Sequence, residues 1–143
     1  MTVSGLAEVV LWTRDMDRSL AFYRDLLGLE LISPPELPNR FLRAGRSGEG
    51  VPAMIVLVPH PPAEAAFPAQ RTGRVLHHLA LTVAADGFDR LESRVRASGL
   101  ETRPGVHPVL QGVRTFYVDD PDGNEVEIIA PSADRERAGD GEG

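Results

Sequence analysis

Three residues of this 143-residue chain combine metal-ligand chemistry with places on strand-like runs: Glu8, His78 and Glu127. In LAEVVLWT (6–13), alternation puts Glu8 on a face with Val10 and Trp12 and leaves Ala7, Val9 and Leu11 as an apolar face. In HHLALTV (77–83), Leu79, Leu81 and Val83 form the apolar face, with His77 at its end, and His78, Ala80 and Thr82 point the other way. In NEVEIIA (124–130), Val126, Ile128 and Ala130 share one face, and Glu125, Glu127 and Ile129 share the other. A carboxylate on the inner face of a sheet is costly unless something neutralises it. Two glutamates and a histidine that converge are a metal-ligand set. Each residue also has a plainer reading. Glu8 could be solvated near a strand end, His78 could be a satisfied core histidine, and Glu127 could pair with Arg114 on a neighbouring strand.

The elements that must position these groups occur twice. TRDMDRSLAFYRDLLGLE (13–30) and TVAADGFDRLESRVRASGLE (82–101) each follow a strand-like run. In each, an aspartate opens a helix and a glycine closes it thirteen residues later, Asp15 to Gly28 and Asp86 to Gly99. Leu20, Tyr23 and Leu27 form the buried stripe expected of the first helix, and Phe88, Leu91 and Val95 that of the second. After Gly28 come LELIS, RFLRAG and AMIVLVP; after Gly99 come LETRP, VRTFYVDDP and NEVEIIAP, with Pro, Gly and Asn between the runs. Each half therefore reads β-α-β-β-β.

The expected fold is α+β, with two tandem βαβββ modules forming a cupped, partly open eight-stranded mixed sheet around a central site. Residues 1–60 are the first module, 61–75 a linker, 76–131 the second module and 132–143 a disordered tail. In this repeat Glu8 matches His78, each shortly before its helix-opening aspartate. Glu127 falls on Ile55 or Val56, both apolar. A fourth protein ligand is therefore missing, which leaves open positions for water or substrate.

Composition removes several other chemistries. The chain is 42% hydrophobic and 25% charged, as a globular domain is, and carries a formal charge of −6. That balance argues against nucleic acid or an anionic membrane as a partner. It has no cysteine, and all 15 basic residues are arginine, so thiolate and Schiff-base chemistry are excluded. No GxSxG elbow or Walker loop is present. The N-terminus lacks a signal-peptide pattern and AMIVLV (53–58) is too short to span a bilayer, so a cytoplasmic protein is expected.

The stretches VVLWTRDMDRSLAFYRDLLGLEL, HHLALTV and FYVDDPDGNEVEI resemble the vicinal oxygen chelate superfamily across residues 6–131. That superfamily includes glyoxalase I, bleomycin and fosfomycin resistance proteins, methylmalonyl-CoA epimerase and extradiol dioxygenases. The resemblance implies one divalent metal ion held by Glu8, His78 and Glu127. Glu8 stands where the family usually has histidine. One histidine with two carboxylates is a hard set that favours manganese or magnesium, with zinc possible, whereas iron(II) suits two histidines and one carboxylate; nickel is also to be tested. Val56 occupies the place of a further glutamate of glyoxalase I, which weakens that assignment.

Glu127 and Tyr117, ten residues before it, are the expected catalytic groups, moving protons or touching substrate. Trp12, Phe41, Val56 and Tyr117 are the expected substrate-binding residues. His60, His77 and His107 receive no role. The expected function is a metal-dependent small-molecule enzyme of the glyoxalase or dioxygenase type, running isomerase, lyase or ring-cleaving chemistry. The alternative is a metal-independent protein that sequesters a drug, with Trp12, Phe41 and Tyr117 stacking on it. The resemblance also implies a homodimer.

Overall fold

In the computed structural model, the described residues are 3, 5–46, 50–60 and 76–132. The expected linker at 61–75 and the tail from 133 onward lie outside them. The chain divides into two compact units, Met1–Gly73 and Arg74–Gly143.

The first unit runs β1 (Glu8–Thr13), α1 (Met16–Leu20) continued by a π-helical segment (Ala21–Leu26), β2 (Glu30–Leu31), β3 (Arg40–Arg46) and β4 (Pro52–Pro59). The second runs β5 (Leu79–Thr82), a 3-10 turn (Ala85–Gly87), α2 (Phe88–Ala97), β6 (Arg103–Gly105), β7 (Val113–Asp119) and β8 (Glu125–Pro131). Each unit holds one four-stranded mixed sheet, ordered β1-β4-β3-β2 and β5-β8-β7-β6. β1 pairs parallel with β4, and β5 with β8; the remaining pairs are antiparallel. The two units thus share the βαβββ plan that the sequence repeat implies.

Asp15 caps α1 as expected, its carboxylate accepting from Arg18 N–H at 3.1 Å. Thr13 and Ser19 join hydroxyls at 2.5 Å beneath that first turn, both buried. The π-helical segment is where the expected stripe changes. Leu27 N–H reaches Phe22 C=O at 2.9 Å, a five-residue step that inserts one residue into the turn. Phe22 and Tyr23 are consequently both buried, while Leu27 is half-buried. Asp86 departs from its expected role: it sits in the 3-10 turn, and α2 begins after Gly87 without a side-chain cap. Phe88 and Val95 are buried and Leu91 is half-buried. Both helices end at a glycine in the left-handed region, Gly28 at φ 81° and Gly99 at φ 90°, where a side chain would strain the backbone.

The cores lie on the helix-facing sides of the sheets. Leu11, Leu42, Ile55 and Leu57 pack in the first unit. In the second, Leu79, Phe116, Val118, Val126 and Ile128 are buried, and the Phe88 ring meets Phe116 edge-on at 5.2 Å. Among the described residues, no helix is long and apolar enough to cross a membrane.

Candidate functional site

The face of the second sheet turned away from α2 carries the polar groups. Register sets Tyr117 beside Glu127, Asp119 beside Glu125 and Thr115 beside Ile129 on β7 and β8. On the flanking strands Ala80 lies beside Glu127, and Arg103 beside Tyr117.

A turn sets this register. Asp120 is buried, and its Oδ1 accepts from the N–H groups of Asp122 at 2.9 Å and Asn124 at 2.8 Å. Its Oδ2 accepts from the Asn124 amide at 2.8 Å, and Asp120 N–H donates to Asn124 C=O at 2.8 Å. The first acid of DPDG is therefore the clamp of the hairpin, because an aspartate can bond its own backbone a few residues on. The sequence placed this hairpin but not the role of Asp120.

Glu127 is 3% exposed. Its Oε2 lies 3.3 Å from His78 Nε2, and its Oε1 is buried with no hydrogen-bond partner among the described residues. An orphaned carboxylate oxygen at such depth is expensive unless a cation or a donor supplies the missing contact. The donor set at this point, an imidazole nitrogen and an unsatisfied carboxylate, fits a divalent metal ion. Arg114 does not answer the charge. It sits on the opposite face, stacked over Phe88 at 4.3 Å and paired with Asp89 at 2.6 Å.

His78 differs from expectation in one respect. It precedes β5 and is not part of it, yet its half-buried ring still reaches Glu127. His77, left without a role by the sequence, places its Nδ1 2.7 Å from His78 Nδ1. The donor atoms of His77, His78 and Glu125 all lie within 4.8 Å of one another. Glu125 is also engaged elsewhere: Arg103 Nη2 bonds it at 3.1 Å and Asp119 at 2.8 Å. These bonds, that to Asp119 first, hold the Arg103 guanidinium further into its charged range. Alternation had put Glu125 on the face of Glu127; which carboxylate Arg103 neutralises is a tertiary matter.

Tyr117 packs against His78, ring centroids 5.9 Å apart and nearly perpendicular. Its phenol is pushed up from the ordinary value by burial first, then by the negative charge of Glu127, its hydrogen bond to Glu127 and the charge of Glu125. Gly105 makes room for that ring. A Cβ there would collide with Tyr117 Cε2 and Thr115 Oγ1. Thr115 Oγ1 is the second buried oxygen without a partner among the described residues.

The remaining sequence-assigned residues belong to the first unit. Glu8 is exposed, so burial does not demand a cation there as it does at Glu127. Register resolves the repeat: Val10 lies beside Val56 as Ala80 lies beside Glu127, so Val56 is the counterpart of Glu127. Phe41, beside Val56, is the counterpart of Tyr117. Val56 is buried, Phe41 half-buried, and Trp12 is 47% exposed with its ring centroid 6.0 Å from His60.

A family model described as the Glyoxalase/Bleomycin resistance protein/Dioxygenase superfamily matches residues 5–128. The chain is 30% identical over 128 residues to the lactoylglutathione lyases of Salmonella typhimurium and Salmonella typhi, covering 87% of this chain and 90% of theirs. Among solved structures, a glyoxalase/dioxygenase from Nostoc punctiforme superposes with a TM-score of 0.63 at 24% identity, over 88% of this chain and 90% of that one. A mutant fosfomycin resistance protein FosX from Listeria monocytogenes, complexed with Mn(II) and 1S,2S-dihydroxypropylphosphonic acid, gives 0.65 at 21% identity, over 94% and 95%. At these identities the structural likeness shows the fold.

Proposed function

The chain belongs to the Glyoxalase/Bleomycin resistance protein/Dioxygenase superfamily, and from that premise we propose a metal-dependent enzyme acting on a small molecule. The observation that carries this reading is the buried Glu127 carboxylate, one oxygen of which has no partner among the described residues while the other faces His78 Nε2. His78 and Glu127 would hold a divalent ion; the third donor that the sequence suggests, Glu8, belongs to the other unit. The names of relatives support the class: lactoylglutathione lyases, and a fosfomycin resistance protein complexed with Mn(II). One histidine with two carboxylates favours manganese or magnesium.

When bound, the ion would supply Lewis-acid stabilisation of negative charge developing on a substrate oxygen. The chain's own residues do the rest. Tyr117, its phenol kept protonated by burial and by Glu127, offers a hydrogen-bond donor on the site face. Glu127 orients that phenol and His78 together. Isomerisation, lyase chemistry, addition to a strained electrophile and ring cleavage all fit such a site, and the lactoylglutathione lyases among the relatives support the lyase reading. A cytoplasmic homodimer is part of the same proposal.

A second reading has its own support in the first unit. Trp12 and Val10 are 47% and 54% exposed on one face of β1, an apolar surface suited to a flat drug. Titration of metal-stripped protein with manganese(II), zinc(II), nickel(II) and iron(II) separates the two. One tight site per chain, lost in Glu127→Ala, supports the enzyme. Absence of binding, with tryptophan quenching by an aromatic drug, supports sequestration instead.

A further inference from the structure

His77 and His78 meet through like atoms. Their Nδ1 atoms are 2.7 Å apart, a hydrogen-bond distance, so one nitrogen carries a proton and the other accepts it. The far nitrogen of His78, Nε2, lies 3.3 Å from Glu127 Oε2. The two contacts are coupled, because a neutral imidazole carries one proton. If His78 accepts at Nδ1, its Nε2 carries the proton and donates to Glu127. If a neutral His78 donates at Nδ1, its Nε2 presents a lone pair toward the carboxylate, an arrangement that a cation between them would relieve.

Resting on the metal reading above, we propose that His77 is a positioning residue for the metal ligand His78, its Nδ1 serving as donor in the empty site and as acceptor in the loaded one. In the empty site His77 Nδ1–H donates to His78, and His78 Nε2–H donates to Glu127. On loading, the Nε2 proton of His78 leaves to water and the shared proton moves from His77 Nδ1 to His78 Nδ1. His77, which is exposed, takes a proton from water at its own Nε2. The pair ends with the protons it began with. A histidine suits this place because its Nδ1 can serve in either direction.

His77 acts through His78 and not as a ligand in its own right. Glu125, which would complete a set with the two histidines, is already bonded to Arg103. Glu127, whose buried Oε1 has no hydrogen-bond partner among the described residues, is reached by His78. Partners that orient a metal-bound imidazole typically contribute 10–100-fold in metal affinity.

The test uses the full metal-stripped chain, with manganese(II) calorimetry and nitrogen-15 spectra of the histidine rings, metal-free and zinc-loaded. His77→Ala should bind manganese(II) about 10–100-fold more weakly with one site per chain retained. His77→Gln, whose amide oxygen can accept from Nδ1, should recover most of that loss. In zinc-loaded wild type the His78 proton should be on Nδ1. If His77→Ala binds as tightly as wild type while His78→Ala does not bind, the metal reading stands and the role of His77 is overturned. A zinc-loaded His78 still protonated at Nε2 overturns it too. No binding by wild type, or unchanged binding in His78→Ala, overturns the metal reading and this proposal with it.

Discussion

His78 Nε2 stands 3.3 Å from Glu127 Oε2, and the other oxygen of that carboxylate is buried with no hydrogen-bond partner among the described residues. Two residues earlier on the same strand, Glu125 is bonded to Arg103. The same face thus holds one carboxylate whose charge is answered by an arginine and one that is answered only in part. Desolvation makes the second the expensive one, and makes it the place where a bound cation gains most.

Glu127→Gln should separate stability from function. An amide keeps the shape and removes the buried charge. The metal-free variant should be more stable than wild type by about 1–3 kcal/mol, because a neutral amide costs less to desolvate than a carboxylate that is answered only in part. It should also lose the rise in Tm that the proposed site predicts for wild type with manganese(II). Thermal scans with and without metal check both; a less stable metal-free variant would mean that Glu127 is already satisfied.

Alkaline stability should report on Tyr117. Its folded pKa lies above the ordinary 10.0, through burial first and the Glu127 charge next. A raised pKa means that the folded state holds the proton more tightly. The resulting stability is fully present below the unfolded pKa and is lost as pH rises through the folded one. Denaturant unfolding between about pH 9 and 12 should therefore show a steeper decline for wild type than for Tyr117→Phe. Equal slopes would remove the perturbation.

Asp120→Ala should loosen the hairpin that registers Glu127. Three hydrogen bonds to a buried carboxylate are lost, two of them from backbone N–H groups. A loss on the order of 3 kcal/mol is expected from hydrogen bonds to a charged group. Asp120→Asn, which keeps one acceptor oxygen, should lose less. Urea unfolding of the two variants gives the ranking, and equal losses would deny the carboxylate its role as clamp.

Gly105→Ala should displace Tyr117. The added methyl would meet Tyr117 Cε2 and Thr115 Oγ1, and relieving such contact costs about 1–3 kcal/mol. In a Tyr117→Ala background the added cost of Gly105→Ala should be smaller, with the contact to Thr115 Oγ1 remaining. A double-mutant cycle measures the coupling, and additive losses would mean that the glycine makes no room for the ring.

Much of this was legible in the chain. The repeat is carried by features that act locally: an aspartate that caps a helix, glycines that end helices in the left-handed region, and alternation that assigns strand faces. Those features fixed two βαβββ units, the helix-facing apolar sides, and the shared face of Glu125 and Glu127. Where local signals competed, the reading slipped. Asp86 looks like a cap but enters a 3-10 turn, and the π-helical segment brings Phe22 into the core beside Tyr23. Hydrogen bonds one residue out of step leave no mark in residue type.

What tertiary structure alone decided is which polar groups answer one another. Arg103 could have paired with any nearby acid, but its strand lies beside β7, and it takes Asp119 and Glu125. Arg114 was a candidate partner of Glu127 until strand register turned it to the face of Phe88 and Asp89. His77 had no assignable role until folding set its Nδ1 against that of His78. Periodicity tells which side of a sheet a residue is on. Pairing of charges depends on distances of a few ångströms between segments far apart in sequence, and only the folded chain sets those.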